Sequence, residues 1–397
     1  MTSWLLPVSL AFSSQVLAVL AFAYTTADSI LRLPISVCVA ALTWQFHKTI
    51  QDDVLANRLL MTLLTTPMWI QCIKTFDDLC LTKISVEKQN EWKGIKVKSR
   101  ISWALAMLWN ARGVASPWQI DRVPPWSYHQ PAGWVPSRCR ELLRHIRNFA
   151  ICYFVLDVFA SQPAPDLEGM MAVDNQALVG RLCAMSAEEI IFRGTAVFGF
   201  WLNTFCSITL MNSILSSIYL SFFMQPVEMV PPIFGKLSDA YTLRGFWGST
   251  WHQTLRRSLN SISDFITHSV LHIPRKSLAA RYIRLFISFG ISGAIHHSAD
   301  LVLGIPSQES QAIVYFITTA AAIMFEDSVQ HISPKVIGVE AHEEWRKYIG
   351  YLWVCGYMYW MTPAWAYPAA RVVRPGVDVL TPARWSVVGG VIRSTDM

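Results

Sequence analysis

The stretch Ile287-Ser-Phe-Gly-Ile-Ser-Gly-Ala-Ile-His296-His297-Ser-Ala-Asp300 is an apolar run of helical length that ends in two imidazoles and a carboxylate. A charged side chain at the centre of an apolar span costs about 2.5–3.5 kcal/mol or more, so such residues are rare there unless paired or used. On a helix His296 and Asp300 stand at i and i+4 and share a face, while His297 points about 100° away. That spacing would let the carboxylate fix one nitrogen of His296 and leave the other free as a base. The same residues also fit a packed, hydrogen-bonded helix end, but inside a membrane span the functional reading outweighs that one.

Working outward, the solvent of this chain reads as lipid. Only 15% of its 397 residues are charged and 53% are hydrophobic, against roughly 25% charged in average globular domains. Seventeen Trp and twelve Tyr suit the headgroup level, where one end of the ring stays wet. Apolar runs at Trp4–Tyr24, Ile30–Phe46, Leu59–Ile73, Ile146–Ser161, Thr195–Met224, Ala279–Leu303, Gln311–Val329 and Tyr348–Ala369 predict an all-α, polytopic membrane protein. About 8–9 transmembrane helices are expected, because Thr195–Met224 reads as one tilted helix or as two short ones. Trp4–Tyr24 lacks a basic leader and has the length of a span, so it reads as the first helix and not as a cleaved signal.

The polar stretches 81–100, 113–145 and 225–278 separate these runs, and the whole, residues 1–397, reads as one membrane domain. Pro117, Pro124, Pro125, Pro131 and Pro136 make the second stretch an irregular connection. Basic clusters at Lys83, Lys88, Lys93, Lys96, Lys98 and Arg100, and at Arg138, Arg140, Arg144 and Arg147, place those segments on the cytosolic side. No basic stripe is interleaved with stacking aromatics on a polar surface, which argues against nucleic acid as a partner. The eight cysteines (38, 72, 80, 139, 152, 183, 206, 355) show no paired spacing and read as packing residues. His296-His297 has neither the i, i+4 histidine spacing nor a nearby cysteine, so no metal site is expected.

A second constellation lies in the third polar stretch: Pro232-Ile-Phe-Gly-Lys236-Leu-Ser-Asp239-Ala-Tyr241-Thr-Leu-Arg244-Gly-Phe246-Trp247-Gly-Ser-Thr-Trp251-His252-Gln-Thr-Leu-Arg256-Arg257. Taken as composition alone, it is equally an interfacial amphipathic helix with its basic residues on lipid headgroups. Glu188-Glu-Ile-Ile-Phe-Arg193 matches the EExxxR signature of intramembrane prenyl-protein proteases, but no Phe after Arg193 has a His four residues on. Those residues read instead as a structural ion pair at a helix start. His296-x-x-x-Asp300 also mimics the HxxxD of soluble plant-type acyltransferases, which follow it with Gly where Leu301 stands here and have no spans.

The run FWGSTWHQTLRR, preceded by PIFGKLSDAYTLRG and followed some forty residues on by SGAIHH in an apolar helix, resembles the wax synthase-like branch of the membrane-bound O-acyltransferases. Within that branch it looks most like the fungal terpenoid acetyltransferases. The resemblance covers about residues 225–370, with WALAMLWNARG at Trp103–Gly113 the one familiar segment upstream.

It implies an MBOAT-like fold and an acyl-CoA-dependent transferase of the endoplasmic reticulum. It also implies acetyl-CoA as co-substrate, with no permanently bound cofactor, and a hydrophobic alcohol such as a terpenoid as acceptor. The family's catalytic histidine maps onto His296 and the polar residue ending its aromatic motif onto His252. With Asp300 these are the expected catalytic groups. Arg244, Trp247, Trp251, Arg256 and Arg257 are the expected donor-binding groups. Relatives often carry Arg or Lys after FWG, whereas Ser249 and Thr250 stand here, which removes one phosphate contact. The alternative within this chemistry is a long-chain fatty alcohol acyltransferase that makes wax esters. Outside it, a proton-coupled transporter would use His296, His297 and Asp300 as a relay and show paired repeats in its two halves; no such repeat is visible.

Overall fold

The computed structural model describes residues 5–52, 58–94, 96–131, 133–161, 169–176, 184–222, 226–337 and 343–372; Trp4, Cys183 and Met224 lie outside them. The long helices are α1 (Leu5–Tyr24), α2 (Arg32–Asp52), α3 (Arg58–Phe76), α4 (Arg100–Trp109), α5 (Arg138–Ala160), α6 (Ala187–Ser221), α7 (Arg256–Asp264), α8 (Leu278–Leu303), α9 (Ala312–Ile337) and α10 (Glu343–Val372). Among the described residues there is no strand, as an all-α chain requires. Each of the eight apolar runs coincides with a helix. Four helices, α1, α6, α8 and residues 312–332 of α9, are long and apolar enough to cross a membrane. Their outward sides are apolar: Leu5 and Phe12 of α1, Ile191 and Phe198 of α6 and Phe325 of α9 are exposed. Lipid is the solvent that makes such a surface favourable.

Two helix starts differ from expectation, and capping explains both. The Ser137 hydroxyl accepts the backbone N–H of Arg140, so α5 begins at Arg138 and absorbs the basic cluster into its first turns. The Ser186 hydroxyl accepts from Glu189, so α6 starts before Thr195 and runs 35 residues without a break as one helix. Glu188 and Glu189 occupy its first turn, where negative charge is favoured. Arg193 is buried one turn later and donates to the carbonyls of Asn175, Tyr359 and Trp360.

α8 is the hub of the fold, packing on α2, α3, α7, α9 and α10. Small residues permit its close approach to α9: a Cβ at Gly293 would stand 2.9 Å from the Ile313 Cα. The run from Pro232 to Arg257 is not an interfacial amphipathic helix. Helix α7 at its end faces inward, with Leu255 and Leu259 packed on Ile295 of α8. The preceding segment folds tightly on itself. Gly235 N donates to Thr250 O at 2.9 Å, and a Cβ at Gly235 would meet the Ser249 carbonyl at 2.2 Å. Buried Arg112, from the upstream WNARG segment, clamps this loop by donating to the Pro231 and Pro232 carbonyls, both at 2.6 Å.

α7 is held by buried charge. Arg257 pairs with Asp77 at 3.2 Å and with Asp78, Lys74 of α3 pairs with the same Asp78, and Lys74 also donates to Met107 O of α4 at 2.8 Å. All four charged side chains are at most 7% exposed. Removing one member leaves an uncompensated buried charge, which typically costs about 3–5 kcal/mol. Arg257→Ala should therefore lower the melting temperature in detergent sharply and reduce the amount of monodisperse protein. Arg256→Ala, one residue away, should leave both nearly unchanged.

Candidate active site

A cavity of about 360 Å³ opens between α6, α7, α8 and the segment leading into α7. α8 contributes one continuous face: Arg281, Arg284, Leu285, Ser288, Phe289, Ser292 and His296 all line it. Their spacing of three and four residues is that of a single helical stripe. From Arg281 to His296 that stripe is fifteen residues long, or about 22 Å at 1.5 Å per residue. The cavity is thus an elongated slot with guanidinium groups at one end and an imidazole at the other.

The His296 end is aromatic. Its ring stacks on Phe316 of α9, with centroids 4.9 Å apart and planes 7° apart, and meets Trp365 of α10 edge-on at 5.0 Å. Trp247, Trp251, Trp201 and Phe289 complete the lining around it. Trp251 itself is fixed by Trp201 at 4.9 Å and Phe246 at 5.5 Å. His252 follows on the same wall; its Nδ1 sits 2.8 Å from the Thr254 hydroxyl. Burial pushes the His252 imidazole down to about 4, so it is neutral near pH 7. In the tautomer in which Nδ1 accepts from Thr254, Nε2 carries the ring proton and is a donor.

The other end is positive. Arg244 makes a two-pronged pair with Asp327, Nε to Oδ1 at 2.9 Å and Nη2 to Oδ2 at 2.5 Å. Arg281 reaches the same Oδ2 at 2.9 Å. Arg284 pairs with Asp264. Arg256 stands apart from these three, at the end of α7 that packs on Ile295, and donates to the backbone carbonyls of Asp121 at 3.1 Å and Gly248 at 3.0 Å. At this end three guanidinium groups, Arg244, Arg281 and Arg284, face two carboxylates, Asp327 and Asp264, which leaves one positive charge in excess. Such a cluster favours phosphate groups, which arginine binds through two parallel N–H donors.

Of the residues expected from the sequence, His296, His252, Arg244, Trp247, Trp251 and Arg256 line this one cavity. Arg257 does not: it points the opposite way into the Asp77 and Asp78 carboxylates. Asp300 does not pair with His296 either. Its Oδ2 accepts from the Ser310 hydroxyl at 2.7 Å, and that hydroxyl sits 2.8 Å from Nδ1 of His297. The loop into α9 has taken the carboxylate that i, i+4 spacing assigned to His296, so the carboxylate is linked to the second histidine of the pair. Arg281 and Arg284 were missed, although their helical register with His296 was there to be read. Among the described residues no group of three His, Cys, Asp or Glu could hold a metal ion.

Residues 230–318 match the family described as "Membrane bound O-acyl transferase family". The chain is 29% identical over 358 residues to acetyltransferase pyr8 of Aspergillus fumigatus, an alignment covering 87% of this chain and 83% of that one. It is 29% identical to acetyltransferase fsoF of Humicola fuscoatra over 71% of this chain and 70% of that one. With acetyltransferase ataH of Aspergillus terreus it shares 28% identity over 70% of this chain and 94% of that one. No solved structure matches the chain. The matched segment holds both cavity histidines and all four cavity arginines. This chain is a membrane acyltransferase whose residues 230–318 match the membrane-bound O-acyltransferase family and which is similar along most of its length to fungal acetyltransferases.

Proposed function

We propose that the chain transfers an acetyl group from acetyl-CoA to a hydroxyl of a terpenoid or similar hydrophobic secondary metabolite. In this reading residues 1–397 form one domain of about 8–9 spans in the endoplasmic reticulum membrane, and residues 225–370 form its catalytic region. One observation carries it: His296 and His252 share an aromatic cavity whose far end is lined with arginines. A phosphorylated donor with a long arm fits such a slot. Its phosphates would lie on Arg244, Arg281 and Arg284, with Arg256 further along its arm, and its thioester would reach His296.

The chemistry then needs one base. A ring nitrogen of His296 takes the proton of the acceptor hydroxyl as its oxygen attacks the thioester carbonyl carbon. The carbonyl oxygen becomes an oxyanion, and the Nε2–H of His252 donates to it. In a dry site such a donor is worth about 2.7–4 kcal/mol. Collapse restores the C=O bond and expels the thiolate of coenzyme A, which recovers the proton from the His296 imidazolium. No covalent enzyme intermediate is required.

Acetyl is favoured over longer donors by the aromatic enclosure. Each added CH₂ of a longer chain would contribute about 0.8 kcal/mol if it found an apolar tunnel. Trp247, Phe289, Phe316 and Trp365 close around His296 instead. The relatives' names, all acetyltransferases, agree with that choice.

Three outcomes are expected. His296→Ala should lower turnover by about 10²- to 10⁴-fold while the protein still accumulates in membranes; near-normal turnover would remove the assignment. Acetyl-CoA should exceed palmitoyl-CoA widely in kcat/KM with a polycyclic terpenoid alcohol, read by product mass, and the reverse order would mean wax ester synthesis. The third is a pH effect on stability. Because the folded His252 titrates near 4 and its ordinary value is 6.5, the unfolded chain takes up a proton in that window and the folded chain does not. Stability is thus retained above 6.5 and lost as pH falls towards 4. Thermal melts between pH 4.5 and 7 should show a shallower slope for His252→Gln than for the wild type.

A further inference from the structure

Glu326 of α9 is buried and takes no part in lining the cavity. Its carboxyl oxygens gather three N–H donors. Oε2 accepts from the backbone of Leu243 at 2.6 Å and from the Trp353 indole of α10 at 3.0 Å, and Oε1 accepts from the backbone of Arg244 at 3.2 Å. Both backbone donors stand in the first turn, Leu243–Gly245, which runs directly into Phe246–Thr250. Donors at such a start have no partner within the turn. Hydrogen bonds to an ionised carboxylate are about twice as strong as those between neutral groups.

The catalytic wall comes directly after these donors in the chain. Residues 246–252 run Phe-Trp-Gly-Ser-Thr-Trp-His, so the segment gripped at its start ends on His252. Between the two points the backbone is tied by Trp251 N to Phe246 O at 2.7 Å, Gly235 N to Thr250 O at 2.9 Å and the Thr250 hydroxyl to Lys236 O at 2.8 Å. A segment braced in this way passes a displacement at Leu243 on to His252. The base, His296, is held separately, on α8 against Phe316 and Trp365. We infer that Glu326 is a positioning residue that sets His252 at its working place opposite His296. This rests on the reading of His252 as the oxyanion donor.

The test is a double-mutant cycle on full-length enzyme in membranes, with acetyl-CoA and the acceptor alcohol as substrates and product mass as readout. The amount of monodisperse protein is measured alongside. Glu326→Gln keeps the shape of the side chain, removes its charge and turns an amide N–H₂ towards one of the donors. A misplacement of about 1 Å can cost 10²-fold, so kcat should fall by about that factor. His252→Ala should lower kcat by about 10²- to 10³-fold. In the combined variant the two losses should not multiply, and kcat should stay within about twofold of His252→Ala alone, since a residue acting through another adds nothing once that other is gone.

If Glu326→Gln accumulates poorly, Glu326→Asp, which keeps the charge and withdraws the oxygens by one CH₂, should give the same pattern. Full multiplication of the two losses would overturn the positioning role and leave the assignment of His252 intact. An unchanged kcat in His252→Ala would overturn both.

Discussion

The cavity depends on a buried group of four charges, Lys74, Asp77, Asp78 and Arg257, contributed by α3, the turn after it and α7. Two positive and two negative groups make the set neutral, and the Met107 carbonyl satisfies a further donor of the lysine. In a low-dielectric interior the attraction offsets desolvation only when geometry is good and the remaining donors are met, so the cluster accepts few arrangements. It thereby fixes the rotation of α7 about its axis. Arg257 faces the aspartates, and Leu255, Arg256, Leu259, Asn260 and Ser263 are left to face the slot. Two adjacent arginines, alike in sequence, are separated by about 100° of helix into one that faces the buried aspartates and one that faces the slot.

α8 supplies the complementary wall and orders the chemistry along its length. Moving down one stripe, the residues pass from guanidinium through hydroxyls at Ser288 and Ser292 to the imidazole of His296. Charge gathers at one end of the stripe, and at the other His296 lies among stacked rings. The close contact at Gly293 holds this stripe against α9, which carries Phe316 under His296 and, two turns or more further on, the Glu326–Asp327 pair. One carboxylate of that pair takes backbone N–H groups of the catalytic segment and the other takes the side chain of Arg244. The aromatic and ionic ends of the site are therefore braced from a single helix.

Much of this was legible in the sequence. The eight apolar runs each became a helix, because lipid imposes a length and a composition that show in a single sequence. His296 and His252 were both singled out from the SGAIHH and FWGSTWH runs, and both line the cavity. The misreadings came from information that local spacing does not hold. The i, i+4 relation of His296 and Asp300 was real, but Ser310, brought in by the turn before α9, captured the carboxylate. Arg257 was indistinguishable from Arg256 without knowing that Asp77 and Asp78 lay across the fold. Arg281 and Arg284 were not singled out within the Ala279–Leu303 run, and only their register with His296, extended four turns, would have shown them facing the slot. The starts of α5 and α6 were missed because single serines outside the apolar runs set them.

The tryptophans around the slot have a consequence of an optical kind. Trp201, Trp247 and Trp251 lie with ring centroids 4.9–6.4 Å from one another, and Trp365 lies beside His296. Indoles so close share excitation, and their emission responds to the polarity of whatever fills the space between them. Water, a thioester arm or a polycyclic alcohol would each give that space a different polarity. The site thus carries its own chromophores, and its occupancy is written into the ultraviolet fluorescence of the unlabelled protein.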